Sequence, residues 1–509
     1  MKGSFFRSAA IVSLSIFSSR VLGLVRDVVI ASSFGAGPLT DAFFVAFRIP
    51  NMLRRIFAEG AFSSAFTPAF SKKLKESKDK AWKLASEAFT VLVIFLTVTV
   101  ILGEIFAPVV INLVAPGFPP DLTDLSVKLL REMFPYIFLV SLVAFSGGIL
   151  NSFYRFFAPA FSTVLFNAAI IVSALLLSRK LSVESLALGV IVGGILQLLL
   201  QVPFLRDVGF SLHFARRISR ETLQVLRNVI PGIFSFAVRQ FSMLIDTVIA
   251  SFLSGGAISY LYYANRLVQL PLGIFAVGIS QVLLPRLSQQ SNGKDFLKDL
   301  KLGITLCSAV VVPSAVGLIL FGLPIVDLIF NHGRFSSEDL KLTAQVLCGY
   351  SMGIFFFSAE KIVTNAYYSL NNYNLPVKVA GGTLVLNLIA DLIFCFPLGL
   401  GVAGLALGTS LTSLANLFLI SFFLKKRYQI DLIGTLKESF FRYLLYSLSI
   451  FPIVILSKSS YSPSLPLTQK ALIVLFTVSI SALVYLGTLY IFKDPLLREL
   501  RRKDASNSV

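Results

Sequence analysis

Residues 18–68 read SSRVLGLVRDVVIASSFGAGPLTDAFFVAFRIPNMLRRIFAEGAFSSAFTP, and this stretch decides the fold class. It is apolar enough to form two membrane helices, broken by the turn Phe34–Thr40 (FGAGPLT). It nevertheless carries Arg20, Arg26, Asp27, Asp41, Arg48, Arg54, Arg55 and Glu59. A charged side chain inside a bilayer is costly enough that such residues face a wet interior or one another. Five arginines against three acids leave the pair of helices net cationic. The simplest occupant of a cavity lined in this way is an anion.

The rest of the chain agrees. Of its 509 residues, 56% are hydrophobic and 14% charged, where average soluble chains carry about 25% charged residues. The expected fold is an all-α polytopic membrane protein with no soluble domain of any size. A formal charge of +19 in a soluble chain would suggest nucleic acid. Here the lysines and arginines collect in the N-terminus, the even-numbered loops and the C-terminus, which is the topology signature of a membrane protein. No nucleic-acid partner is expected, and both termini fall on the cytoplasmic side. A span needs about 20 mostly apolar residues. By that measure fourteen transmembrane helices are expected, near residues 8–33, 41–68, 84–114, 125–152, 157–178, 183–205, 223–253, 257–285, 300–330, 340–370, 377–398, 402–424, 438–457 and 470–492. Lys2 and Arg7 precede an apolar run longer than a signal peptide, so that run reads as an uncleaved first span. The basic segments Lys72–Lys83, Arg206–Arg220 and Lys493–Lys503 read as topology signals that also touch anionic membrane lipid.

An internal repeat orders these spans. Asp27–Ser32 (DVVIAS) matches Asp246–Ser251 (DTVIAS) at an offset of 219, and Leu186–Gly189 (LALG) matches Leu405–Gly408 at the same offset. Asn167 pairs with Asn387, Arg48 with Arg266 and Pro68 with Pro285 within two residues of that offset. Each copy holds six spans, an even number, so the copies insert in the same orientation. The expected domains are a first six-helix lobe over 1–205, an amphipathic cytoplasmic linker over 206–222, and a parallel second lobe over 223–427. Two further helices and a basic tail fill 428–509. Parallel repeats of this kind are a transporter architecture, with the substrate site between the halves.

Two charged constellations carry chemistry. In the cationic one, Arg20 and Asp27 share a helical face, while Arg26 lies about 100° from Asp27. Arg54 and Arg55 follow Pro50, and Glu59 sits four residues after Arg55, a spacing for a local ion pair. The charges either neutralise one another as gate or interhelix ion pairs, which suits Asp41, Arg48 and Glu59, or meet a substrate. The second reading suits Arg26 and Arg54, for which acids run out, and Arg239 and Arg266 in the second lobe. Guanidinium groups bind phosphate bidentately. In the acidic constellation, Asp246 and Asp391 lie in apolar runs, Asn387 is one turn before Asp391, and Thr409 follows Gly408. Two carboxylates, an amide and a hydroxyl suit a hard cation, or else a protonated carboxyl pair that packs helices. The first lobe has Ile171 where Asp391 would be and Val190 for Thr409, so only one lobe completes the set.

Catalysis finds no support. No G-x-x-x-x-G-K-[ST] loop is present. His213 and His332 lie apart in loops and read as surface histidines. Cys307, Cys348 and Cys395 lie singly in apolar runs with neither metal spacing nor a disulfide framework. The expected protein is no enzyme and has no cofactor, a sodium ion excepted.

The segments SRVLGLVRD, FGAGPLTDAFFVAFRIPN and LRRIFAEGAFSSAFTPAF closely resemble the opening of the bacterial MurJ (MviN) lipid II flippases, within the multidrug/oligosaccharidyl-lipid/polysaccharide exporter superfamily. The resemblance runs the length of the chain. It implies two six-helix lobes plus two helices, and an inner-membrane flippase that moves lipid II to the outer leaflet for peptidoglycan synthesis. It also implies that Arg26, Arg54 and Arg266 hold the diphosphate, and that Arg20, Asp27, Asp41, Arg55 and Glu59 serve gating or cavity electrostatics. Asp246, Asn387, Asp391, Leu405 (through its carbonyl) and Thr409 match a sodium site. The last two helices would form a groove for the polyprenyl tail. Where some members have acids, this chain has Asn265 and Gln269, which leaves Arg266 freer to meet phosphate. A drug or cation antiporter of the same superfamily, a flippase for another polyprenyl-linked oligosaccharide, and a non-transporting scaffold are the rival readings; the arginine excess argues against the first.

Overall fold

The computed structural model of the chain describes residues 2–54, 63–210, 213–227, 229, 243–290 and 293–497; before Leu14 only the backbone is described. The described residues are helical, with no strand among them. Eleven helical segments among them are long and apolar enough to cross a membrane, and each answers to one of the fourteen expected spans. Of the other three, 8–33 lies in a helix, while 41–68 and 223–253 run into residues outside those described. In contact terms the chain forms two compact units, Met1–Ser259 with Gly333–Phe335, and Tyr260–His332 with Ser336–Val509.

The first unit contains α1 (Lys2–Phe34), α2 (Pro38–Leu53), α3 (Ser63–Glu76), α4 (Lys78–Val114), α5 (Pro120–Met133), α6 (Tyr136–Ser152), α7 (Phe157–Leu181), α8 (Glu184–Asp207), α9 (Arg220–Arg227) and α10, described over 243–250. The break between α1 and α2 follows from its residues. Gly35 takes φ +74°, a left-handed conformation open to glycine. Pro38 opens α2, where a missing N–H costs nothing. Thr40 Oγ1 then accepts from Gly37 N at 3.1 Å and donates to the Gly35 carbonyl. Helix α7 packs on both α1 and α8, and α6 on α8. Gly189 sets the closeness of α7 and α8, since a Cβ there would lie 2.9 Å from the Ile170 Cα.

The second unit contains α11 (Ala257–Pro271, which begins in the first), a π-turn Leu272–Ala276, α12 (Val277–Gln289), α13 (Lys294–Phe330), α14 (Ser337–Ser369), α15 (Asn374–Cys395), α16 (Gly401–Tyr428), α17 (Ile433–Ser447), α18 (Phe451–Ser459) and α19 (Leu467–Ile491). Its α15–α16 and α14–α16 pairings correspond, at the repeat offset, to α7–α8 and α6–α8. Helix α13 kinks at Phe321, because Pro324 cannot donate a hydrogen bond back along the helix. The hairpin α18–α19 covers the kink, with Val454 and Val474 against Phe321. A buried ion pair fastens it: Lys470 Nζ lies 2.7 Å from Asp327 Oδ2, and Tyr461 and Asn331 also donate to the Asp327 carboxylate. His332, expected on the surface, is half-buried and bonds the Leu328 carbonyl at 2.9 Å.

The segment after α8, expected along the membrane interface, docks onto the first unit. Buried Glu87 of α4 accepts through Oε2 from Ser219 N (2.9 Å), Ser219 Oγ (2.5 Å) and Thr222 Oγ1 (2.6 Å). Thr90 Oγ1 accepts from Ala215 N at 2.8 Å. Phe210 packs tilted against Trp82, and Phe214 against Phe89. Lys73 meets Glu221 at 3.0 Å, and that contact raises the lysine above its ordinary value.

Candidate functional site

The first unit gathers the cationic residues of α1 and α2. Arg26 is buried, and its Nε and Nη2 donate to Asp27 Oδ1 at 3.0 and 2.7 Å. Its Nη1 donates to Asn167 Oδ1 on α7 at 3.1 Å. Asn167 is held in turn, since its Nδ2 donates to the carbonyls of Thr163 and Ser19. The helical wheel puts Arg26 and Asp27 apart and leaves the arginine short of acids; instead the two pair. An arginine side chain is long enough to fold back over its own helix to the adjacent carboxylate, which a wheel of Cα directions omits. Arg20, on the same face as Asp27, is exposed whereas Asp27 is fully buried.

Helix α2 carries the next group. Arg54 follows Pro50 by one turn and donates through Nε and Nη2 to Asn51 Oδ1 at 3.1 and 2.8 Å. Arg55 and Glu59, and with them the expected local ion pair, lie outside the described residues. Arg48 donates to the Met243 carbonyl at 2.6 Å and to Thr247 Oγ1 on α10. Asp41 is buried, and its carboxylate accepts from Gly256 N (2.6 Å), Ser259 N (2.8 Å) and Ser259 Oγ (2.6 Å). It thus caps the opening turn of α11, where unsatisfied N–H groups and the helix dipole favour a negative charge. Arg334 N donates to the Ser32 carbonyl at 2.9 Å and Gly255 lies against Pro38, so the α1–α2 turn is held from two sides.

In the second unit Arg266 is half-buried on α11, one turn before Pro271 and the π-turn. The neighbouring amides bond each other, Gln269 Nε2 donating to Asn265 Oδ1. Two of the five expected cation ligands, Asn387 and Asp391, meet on α15, where Asp391 packs against Gly408 of α16, the neighbour of Thr409. Asn387 Nδ2 donates to Asp391 Oδ2 at 3.0 Å, and both side chains are buried. A Cβ on Gly408 would collide with Asp391 Oδ1, so the glycine makes the room that this carboxylate occupies. Thr409 donates to the Leu405 carbonyl at 2.9 Å, which leaves its hydroxyl lone pairs as acceptors. Such a set, carboxylate, amide, carbonyl and hydroxyl, fits a hard cation. The fifth residue, Asp246, is half-buried on α10 in the first unit.

Sequence reading passed over Glu87, Glu360, Asp327 and Lys470, although each is an ionisable residue within or beside an apolar span, a pattern that by itself marks a polar contact. Glu360 on α14 accepts from Asn416 Nδ2 on α16 at 2.9 Å.

The model of the lipid II flippase MurJ family matches residues 30–481. The chain is 38% identical to the probable lipid II flippase MurJ of Buchnera aphidicola subsp. Acyrthosiphon pisum, over 86% of each chain. It is 36% identical to the lipid II flippase MurJ of Burkholderia cenocepacia, over 83% of this chain and 84% of that one. A solved lipid II flippase MurJ in an inward closed conformation superposes with a TM-score of 0.81 at 30% identity, covering 96% of this chain and all of the other. An inward-facing multidrug transporter of the MATE family superposes with a TM-score of 0.69 at 14% identity over 81% of this chain and 94% of that one, a likeness of fold. By sequence over most of its length and by architecture, the chain belongs to the MurJ family of lipid II flippases.

Proposed function

We propose that this protein flips lipid II from the inner to the outer leaflet of the bacterial cytoplasmic membrane, with both termini on the cytoplasmic side. Its membership of the family over residues 30–481 carries the reading. The physical requirement is plain. A diphosphate and sugars do not cross about 30 Å of hydrocarbon unaided, whereas a polyprenyl tail stays in lipid. The protein has to supply a cationic, hydrated path for the headgroup and to expose it to the two sides in turn. Arg26, Arg54 and Arg266 bind the diphosphate. Arg26 is preorganised for this by Asp27 and Asn167, while Arg54 is steadied by Asn51. Arg20, Asp27, Asp41, Arg55 and Glu59 tune the cavity field and the gates, Asp41 through the start of α11.

A sodium ion held by Asp246, Asn387, Asp391, Leu405 and Thr409 resets the cycle, together with the membrane potential. Reconstitution into vesicles with labelled lipid II tests both parts. Flipping that stops without sodium and in Asp391→Ala supports the coupling; flipping indifferent to both removes it. Absence of flipping by the wild-type chain under any ion gradient would remove the substrate assignment itself.

A further inference from the structure

Helices α12 and α13 of the second unit touch where Leu283 lies over Gly303. The missing side chain permits that contact, since a Cβ on Gly303 would stand 2.7 Å from Leu283 Cδ2. Beside it the two helices part around a groove of about 380 Å³. Its walls are Ile274 and Phe275 of the π-turn, Ile279 and Val282 of α12, and Leu302 and Leu306 of α13. Gly278 also lines it, and a Cβ there would meet no atom within 4 Å. Ile274 and Val282 are exposed. One end of the groove carries an ion pair: Arg286 Nε lies 3.6 Å from Asp299 Oδ2, the arginine side chain 53% exposed and the aspartate 10%. Gln290 Nε2 donates to the same carboxylate oxygen at 3.0 Å and so holds the acid in place.

Polarity and length decide what fits. Among the described residues, every one lining the groove except Arg286 and Asp299 is apolar or glycine, so it suits hydrocarbon and gives no path to sugars or a diphosphate. From Ile274 to Arg286 the helix rises about 18 Å, close to one leaflet's share of a hydrocarbon core about 30 Å thick. Arg286 follows the eighth expected span, an even-numbered one, which in the proposed topology ends on the cytoplasmic side. Asp299 engages only one of the several N–H donors of the guanidinium, and that fork matches a phosphate. The ion pair is neutral overall, so it recognises a phosphate at contact distance rather than through net charge. We propose that the groove between α12 and α13 binds one glycerophospholipid of the inner leaflet, with an acyl chain along the groove and its phosphate on Arg286. The chain supplies the packing atoms that Gly278 and Gly303 lack. A polyprenyl tail would outrun one leaflet's depth, and its diphosphate is assigned above to Arg26, Arg54 and Arg266. The inference rests on the proposed orientation of the termini and is independent of the substrate.

Photolabelling tests it, with the delipidated full chain in detergent micelles titrated with phosphatidylglycerol that carries a diazirine on its acyl chain. Lipid II is absent, so failure here leaves the substrate assignment untouched. Peptide mapping should show saturable label on the groove residues of α12 and α13, at lipid concentrations that leave the exposed apolar faces of α4 and α19 unlabelled. Gly278→Leu, which keeps the ion pair and fills the groove, should abolish that label. Arg286→Gln should raise the half-saturating lipid concentration about tenfold, as the loss of one charge-assisted contact does. Label spread evenly over all the exposed faces, or groove label unchanged in both variants, would show annular lipid only and overturn the site. Displacement of the label by a polyprenyl phosphate but not by unlabelled phosphatidylglycerol would give the groove to the substrate tail and overturn it as well. Mapping of the wild type needs no variant to fold.

Discussion

A buried guanidinium is stable only while its acceptors remain, and this separates two roles of Arg26. Removing one member of a buried pair leaves the other uncompensated, at a cost of about 3–5 kcal/mol. Arg26→Ala should therefore lower both thermal stability and flipping, whereas Arg26→Ala with Asp27→Ala should regain most of the stability and none of the flipping. Regained flipping in the double variant would reduce Arg26 to a structural residue. At the proposed cation site the informative residue carries no side chain. Gly408→Ala should displace the Asp391 carboxylate and weaken the stabilisation of the protein by sodium at least tenfold in concentration, read as the sodium dependence of Tm; an unchanged dependence would place the ion elsewhere. At this scale the sequence makes residue types and spacing legible, and with them the arginines, the Asn387–Asp391 turn and Thr409. It leaves out side-chain reach. The pairing of Arg26 with its own neighbour, and the capping of α11 by Asp41 from 215 residues away, depend on where long or remote groups end rather than where they begin.

Helices and linkers are docked by a few polar contacts inside apolar faces, and those contacts give the predictions at the scale of elements. Glu87 receives three donors from the segment that follows α8, so Glu87→Ala should free that segment. A cysteine at Ala215 would then react with a soluble maleimide several-fold faster than in the parent, and an equal rate would show the aromatic contacts of Phe210 and Phe214 to be sufficient. The α18–α19 hairpin is fastened by Lys470 and Asp327. Lys470→Met alone should destabilise strongly, and adding Asp327→Leu should restore much of the loss, because an apolar pair replaces a buried ionic one at little net cost. Equal destabilisation by the single and the double variant would contradict this. Apolar length gave the eleven described spans, and Pro324 announced the bend in α13. The docking of the linker was not readable, because an amphipathic pattern reports that an apolar face exists and is silent on whether lipid or protein covers it.

The whole molecule is a duplicated transporter, and its duplication is visible at both levels: matched tetrapeptides and hexapeptides at an offset of 219, and matched helix pairings within each unit. Divergence between the copies then marks function. Asp391 and Thr409 correspond to Ile171 and Val190 in the repeat register, so one copy has the oxygen donors of the proposed ion site, while the other couples a buried arginine to Asp27 and Asn167. Rocking two such lobes is the simplest way for one site to see both leaflets. The most direct measurement is complementation in cells depleted of their own lipid II flippase, comparing the wild-type chain with Arg26→Ala, Arg54→Ala and Arg266→Ala at matched membrane levels. The account predicts rescue of growth by the wild type and by none of the three variants. Failure of a correctly inserted wild type would contradict the lipid II assignment, and rescue by all three variants would contradict the arginine site.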